Sequence, residues 1–289
     1  MLRSFLFLLT VFQIGHCGIL EDFTKFHVDS VQKNHRLSLA SSYRSGFYTL
    51  SPELTVGISR SFGLLNECIP SLLQHGSYLE FGLYRGFSLW FAQQVGNTVV
   101  GKDFKYFGFD SFAGLPDQSQ DYIGGAWAPG VYAGSLKEVS HNLRYHGADF
   151  STLHLVKGWF GQQVFADWER QFNCPKAAII TIDADLYESC REILQFFSSF
   201  YIQPGTILLF DDFINPASSA DINNFGERKA LKEFLEEHKD FELTHLFTFS
   251  TTGYACMVTS CRGDSLDPVV LKKVKELNGD TSLPSYLFF

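Results

Sequence analysis

Between residues 77 and 212 the chain repeats one pattern five times: a short apolar run, then a longer stretch. The runs are Ser77–Phe81 (SYLEF), Lys105–Asp110 (KYFGFD), Leu153–Gly158 (LHLVKG), Ala177–Asp183 (AAIITID) and Thr206–Asp212 (TILLFDD). AAIITID and TILLF are almost continuously apolar, as strands are when both faces of a sheet are covered. Helical stretches between them leave room for crossovers, so the strands run parallel. The predicted class is α/β, a Rossmann-like, doubly wound and mostly parallel sheet. Phe241–Phe249 and Gly253–Thr259 follow with only three residues between them and predict a C-terminal antiparallel hairpin.

Around this pattern the chain divides into four parts. Residues 1–17 have a positive Arg3, an apolar stretch from Ser4 to Ile14, and Gly15 and Cys17 at the −3 and −1 positions of a cleavage site. That is the layout of a signal peptide, and the stretch is too short to cross a membrane. The expected location is secreted or in the secretory-pathway lumen, with no membrane span after cleavage. The alternative is a cytoplasmic protein whose first residues pack as an apolar helix. Residues 18–75 form a helical N-terminal extension, in which Ser51 and Pro52 suit a helix start before Leu73. Residues 76–262 are the main α/β domain, and residues 263–289 hold a helix (PVVLKKVKEL) and an apolar tail.

Composition narrows the class. Hydrophobic residues are 45% of the chain, with 30 Phe, enough for a sizeable core. A net charge of −8 with no basic run excludes a nucleic-acid binder that tracks phosphates. Beyond residue 17 the cysteines are Cys68, Cys174, Cys190, Cys256 and Cys261, an odd number without CxxC spacing, which excludes a zinc ribbon. Arg262-Gly263-Asp264 is a tripeptide short enough to be coincidence rather than an adhesion motif. A homo-oligomer is left open.

Open α/β sheets bind ligands at the carboxyl ends of their strands. There the first run ends in Glu80-Phe81-Gly82-Leu83-Tyr84-Arg85-Gly86, an E-x-G-x-x-x-G. Gly82 lets the turn pass close to a ligand, and Gly86 lets the next helix pack tightly. Glu80 is placed to accept hydrogen bonds from the cationic amino end of a nucleoside amino acid. Asp110 ends the second run, where an acidic side chain can hold the ribose hydroxyls of an adenosine; the competing reading is a helix cap. Trp159, after the third run, offers a flat wall for adenine, or else a core ring.

The fourth and fifth runs end in Asp183-Ala184-Asp185 and Asp211-Asp212, with Asp183 and Asp211 28 positions apart. Carboxylates crowded at one sheet edge repel, and a hard divalent cation with oxygen ligands relieves this. Such an ion would fix an acceptor hydroxyl for group transfer. Asp185 reads as a cap of the following helix.

The segments YLEFGLYRGFSLWFA, FGFDSFAGLPD, KGWF, IDADLYES and LLFDDF, in this order and spacing, resemble the macrocin O-methyltransferase family. The resemblance covers about Ser77 to Phe213. It implies an S-adenosylmethionine-dependent, metal-assisted O-methyltransferase acting on a small-molecule hydroxyl, a sugar among the candidates. It implies Mg2+, or Mn2+, held by Asp183, Asp211 and Asp212. It also implies cofactor contacts from Glu80, Gly82, Tyr84, Gly86 and Ser88 in the first loop and from Asp110 with Ser111. No histidine lies between Pro116 and Ser140, and His141 falls on an amphipathic helix surface, so no base is assigned. Alternative readings keep the cofactor with a nitrogen or catechol-like acceptor, or make the chain a secreted methyltransferase-like binding protein without catalysis.

Overall fold

A computed structural model describes residues 53–117, 127–213, 225–249 and 252–278. The expected signal peptide, residues 18–52 of the extension, the hairpin's Ser250 and Thr251, and the tail from residue 279 lie outside the described residues.

Two helices come first, α1 (Glu53–Cys68) and α2 (Pro70–His75). Then strands and helices alternate: β1 (Ser77–Phe81), α3 (Phe87–Val99), β2 (Lys105–Asp110), α4 (Leu136–Tyr145), β3 (Leu153–Lys157), α5 (Gln162–Gln171), β4 (Ala177–Ile182), α6 (Tyr187–Ser198) and β5 (Ile207–Phe210). The chain continues through α7 (Gly226–Glu237), β6 (Glu242–Thr248), β7 (Tyr254–Cys261), β8 (Asp264–Ser265) and α8 (Pro268–Asn278). The sheet order is β3-β2-β1-β4-β5-β7-β6, with β8 beside β7. β1 to β5 pair in parallel, and β7 enters antiparallel between β5 and β6, as the hairpin pattern predicts.

Side-chain alternation along the strands feeds two cores, one on each face of the sheet. Tyr78 and Tyr106 pack with Ile58 and Phe62 of α1, Val95 of α3 and Val274 of α8. Leu79, Phe81, Phe107 and Phe109 pack with Trp168 of α5, Phe197 of α6 and Leu231 of α7. Phe81 lies 4.6 Å from Phe109 and 4.9 Å from Phe197, one ring stacked and one edge-on, which explains the demand for phenylalanine. The helices read as an N-terminal extension therefore belong to the first layer of the same core.

Arg262 and Gly263 form the β7–β8 turn, both with left-handed φ. The Arg262 guanidinium donates to the carbonyls of Ser198 and Ile202, so the tripeptide is a structural corner. Cys256 and Cys261 both lie buried on β7 as free thiols.

Candidate active site

The strand order changes direction between β1 and β4, because β2 leaves β1 on one side and β4 joins it on the other. A cleft of about 460 Å³ opens there, at the carboxyl ends of the strands, a volume suited to a small molecule. The parallel ladder continues past the strands to bring the tips together. Gly82 N donates to Phe109 O, Asp183 N to Phe81 O, and Asp211 N to Ile182 O.

Asp110 organises one end of the cleft. Its Oδ2 accepts from Leu83 N at 2.7 Å and Tyr84 N at 3.3 Å, and its Oδ1 from Phe112 N at 2.6 Å. Burial raises its pKa, while these N–H donors pull it down. Ser111 closes a local turn by donating to Gly114 O. Tyr84, Ser88 and Ser111 line the cleft, and Trp159 stands at it 51% exposed.

Glu80, Gly82 and Gly86 of the first loop each have protein groups as their close neighbours. Glu80 is fully buried and is not among the cleft-lining residues. Its carboxylate accepts from Tyr78 Oη and Ser88 Oγ, each at 2.6 Å, and Tyr78 Oη also meets Thr181 Oγ1 at 2.9 Å. Glu80 thus ties β1, β4 and the start of α3 beneath the loop, and burial pushes its pKa up to about 7. Gly82 lines the cleft, but its close neighbour is backbone: with φ +87°, a β-carbon would stand 1.8 Å from the Asp183 carbonyl oxygen. Gly86 is the N-cap residue of α3 and faces Val139 of α4, so it packs helix on helix.

The other end of the cleft is acidic. Asp183, Asp211 and Asp212 each present an oxygen within 4.8 Å of the others, the one such group among the described residues. Asp211 is buried and the other two are half-buried. Burial first, then repulsion from Asp211, holds the Asp183 pKa well above the usual carboxylate range. Burial likewise raises Asp212. Oxygen ligands in this number suit a hard cation such as Mg2+ or Mn2+, whose charge would remove the repulsion.

Asp185, read from sequence as a helix cap, does not cap α6; the N-cap residue is Leu186, without a side-chain bond. Asp185 has φ +59°, which turns its carboxyl into the cleft wall. There it accepts from Trp127 Nε1 at 3.0 Å and shares a side-chain hydrogen bond with Asp212, and burial holds it strongly toward the protonated form. Trp127 and Tyr132 also line the cleft, and neither was singled out from sequence. Tyr132 meets Tyr84 edge-on, and its hydroxyl feels burial and then Asp185, Asp212 and Asp183, all raising its pKa. Both come from the connection after β2, where no periodic signal marks them. His141 is exposed on α4, stacked against Tyr145, as its amphipathic helix predicts.

Comparison with known proteins gives a coherent picture. A family model described as macrocin O-methyltransferase (TylF) matches residues 55–241, well over half the chain. Over 191 residues the chain is 25% identical to an enzyme of Streptomyces olivaceus, 8-demethyl-8-(2,3-dimethoxy-alpha-L-rhamnosyl)-tetracenomycin-C 4'-O-methyltransferase. That match covers 63% of this chain and 70% of the relative. It is 24% identical to mycinamicin III 3''-O-methyltransferase of Micromonospora griseorubida, covering 60% and 70%. Among solved structures, the calicheamicin methyltransferase CalS11 superposes with a TM-score of 0.57 at 19% identity, covering 86% of this chain and 92% of that one. The O-methyltransferase NovP does so with a TM-score of 0.52 at 22% identity, covering 72% and 82%. These two structures share the fold.

Proposed function

The chain belongs to the macrocin O-methyltransferase family, and we propose that this S-adenosylmethionine-dependent O-methyltransferase acts on a sugar hydroxyl with the help of a divalent metal. The observation that carries the reading is the shared cleft, with the Asp110-ordered loop at one end and the three converging aspartates at the other. The sugar acceptor is supported by the first relative, whose name describes a 4'-O-methyltransferase of a rhamnosyl-bearing compound.

In this reading the Asp110 end takes the cofactor, with Ser111 and Trp159 beside its adenosine. Tyr84 and the first turn of α3 border its amino-acid end. Asp183, Asp211 and Asp212 hold Mg2+ or Mn2+. Bound there, the ion supplies the positive charge that lets an acceptor hydroxyl ionise near neutral pH. As the methyl carbon leaves sulfur and bonds to the acceptor oxygen, the hydroxyl proton needs a destination. Asp185, one of the cleft carboxyls outside the ligand set, would take it, since the charge of a cation beside it would lower its raised pKa and leave it ionised to receive the proton. Trp127 and Tyr132 wall the acceptor side and keep water from the methyl group.

The test is transfer of a labelled methyl group to a panel of glycosides, with Mg2+, with Mn2+ and with a chelator. Turnover should require the metal, while cofactor binding measured by calorimetry should not. Asp183→Asn should cut turnover on the order of 10²-fold, the usual scale for losing one charge-stabilising group. Cofactor binding with no transfer to any acceptor would favour the binding-protein reading, and transfer that survives chelation would remove the metal. On Arg3, the apolar run and Gly15 with Cys17, we also propose export. Intact mass of the native-host protein should then place its N-terminus near Gly18, whereas Met1 or Leu2 would return it to the cytoplasm.

A further inference from the structure

We propose that Glu227, in the first turn of α7, is a positioning residue that sets the spacing of the two acidic loops for a divalent cation. The inference rests on the metal reading above. Glu227 is 0% exposed, and its two oxygens are divided between the two loops. Oε1 accepts from Ala184 N at 3.2 Å, between Asp183 and Asp185 on the β4 tip. Oε2 accepts from Asp212 N at 3.2 Å, on the β5 tip. One rigid carboxylate thus spans backbone positions adjoining or belonging to the candidate ligands on both strands.

The ordinary role of a first-turn glutamate is to complement its own helix dipole. Here the N-cap residue is Phe225, with no side-chain cap bond, and both Glu227 oxygens bond outside the helix. The approach of α7 is built for this. Gly226 has φ +56°, and a β-carbon on it would stand 3.2 Å from the Asp185 carbonyl oxygen. Burying a fifth carboxylate beside Asp183, Asp185, Asp211 and Asp212 is electrostatically unfavourable in itself. What it contributes in return is a fixed separation between two loops whose side chains must meet one ion, the role of groups bonded behind metal ligands.

The experiment compares the full chain with Glu227→Gln and Glu227→Asp, using Mn2+ alone as the probe. Glutamine keeps the volume, but its amide nitrogen cannot accept, so one loop loses its bond. Aspartate keeps the charge and is one methylene too short to reach both amides. Each variant should bind Mn2+ roughly 10–100-fold more weakly, the range for groups behind a metal ligand. S-adenosylhomocysteine affinity should stay within about twofold, because its proposed contacts lie in the loops after β1, β2 and β3 and in the first turn of α3, not on α7. In the metal-free protein, hydrogen exchange at the Ala184 or Asp212 amide should rise at least tenfold. A merely structural glutamate would alter melting without this selective loss. Unchanged Mn2+ affinity or unchanged exchange at both amides in the folded variants would overturn the role and leave the metal site standing. Failure of the unaltered chain to bind Mn2+ would overturn the metal site and, with it, this inference.

Discussion

Asp110 shows how much one side chain can carry. Its two oxygens already accept three backbone N–H bonds, two from the Leu83–Tyr84 turn and one from Phe112. A carboxylate has about four acceptor sites, so it can order the empty loop and still receive a ribose hydroxyl. Asp110→Ala removes both functions and should weaken S-adenosylmethionine binding by ~1–3 kcal/mol, the range for a charge-assisted hydrogen bond. Asp110→Asn, which keeps one accepting oxygen, should fall between. Calorimetric titration of the three proteins makes the comparison. Equal affinities would place the ribose elsewhere in the cleft. Glu80 makes the opposite point, since its motif position suggested ligand contact while its hydrogen bonds are all internal.

Among the elements, α1 has the most to say about where the domain begins. The change of pattern at Ser77 marks a boundary in sequence, yet Phe62 of α1 is fully buried against the sheet. Its ring lies 6.2 Å from Tyr78 of β1, stacked, and 5.9 Å from Phe104, edge-on. Phe62→Ala should therefore destabilise the whole domain by ~3–5 kcal/mol, as for other buried phenylalanines. Urea unfolding should show one transition at a lower midpoint with an unchanged slope. A loss below about 1 kcal/mol, or a separate early transition, would make α1 a detachable extension after all.

At the scale of the whole molecule, stability and the acidic cleft are linked through pH. Burial raises the pKa of Glu80 from 4.5 to about 7, and burial with mutual repulsion raises those of Asp183, Asp185 and Glu227. Each group binds more protons folded than unfolded over its shifted range, so folding stability falls as pH rises there. For Glu80 the window runs from about 4.5 to about 7, above which the loss is complete. Metal-free protein should melt at a higher temperature at pH 5.5 than at pH 7.5. Mg2+ or Mn2+ should raise the melting temperature more at pH 7.5, where the carboxylates are free to bind it. Thermal melts across this range, with chelator and with metal, check both signs. A metal effect that shrinks as pH rises would contradict the proposed ligand set.

The local pattern of the chain was enough to delimit the strands. β1 and β2 have the bounds of SYLEF and KYFGFD, and the other apolar runs match to within a few residues at their ends. That is possible because apolar periodicity and continuous strand runs are properties of neighbouring residues. The same pattern set Asp110, Asp183, Asp211 and Asp212 at strand ends, and parallel connections then put those ends on one edge. Only the tertiary structure decided what each carboxylate faces. A left-handed backbone at Asp185 turned an expected cap into the cleft, and the packing of α3 on the sheet drew Ser88 onto Glu80 and closed it off. Trp127 and Tyr132 arrived from an irregular connection, and Glu227 from a helix 43 residues beyond Ala184. Such contacts join residues far apart in the chain through packing and buried hydrogen bonds, which leave no periodic trace in the sequence.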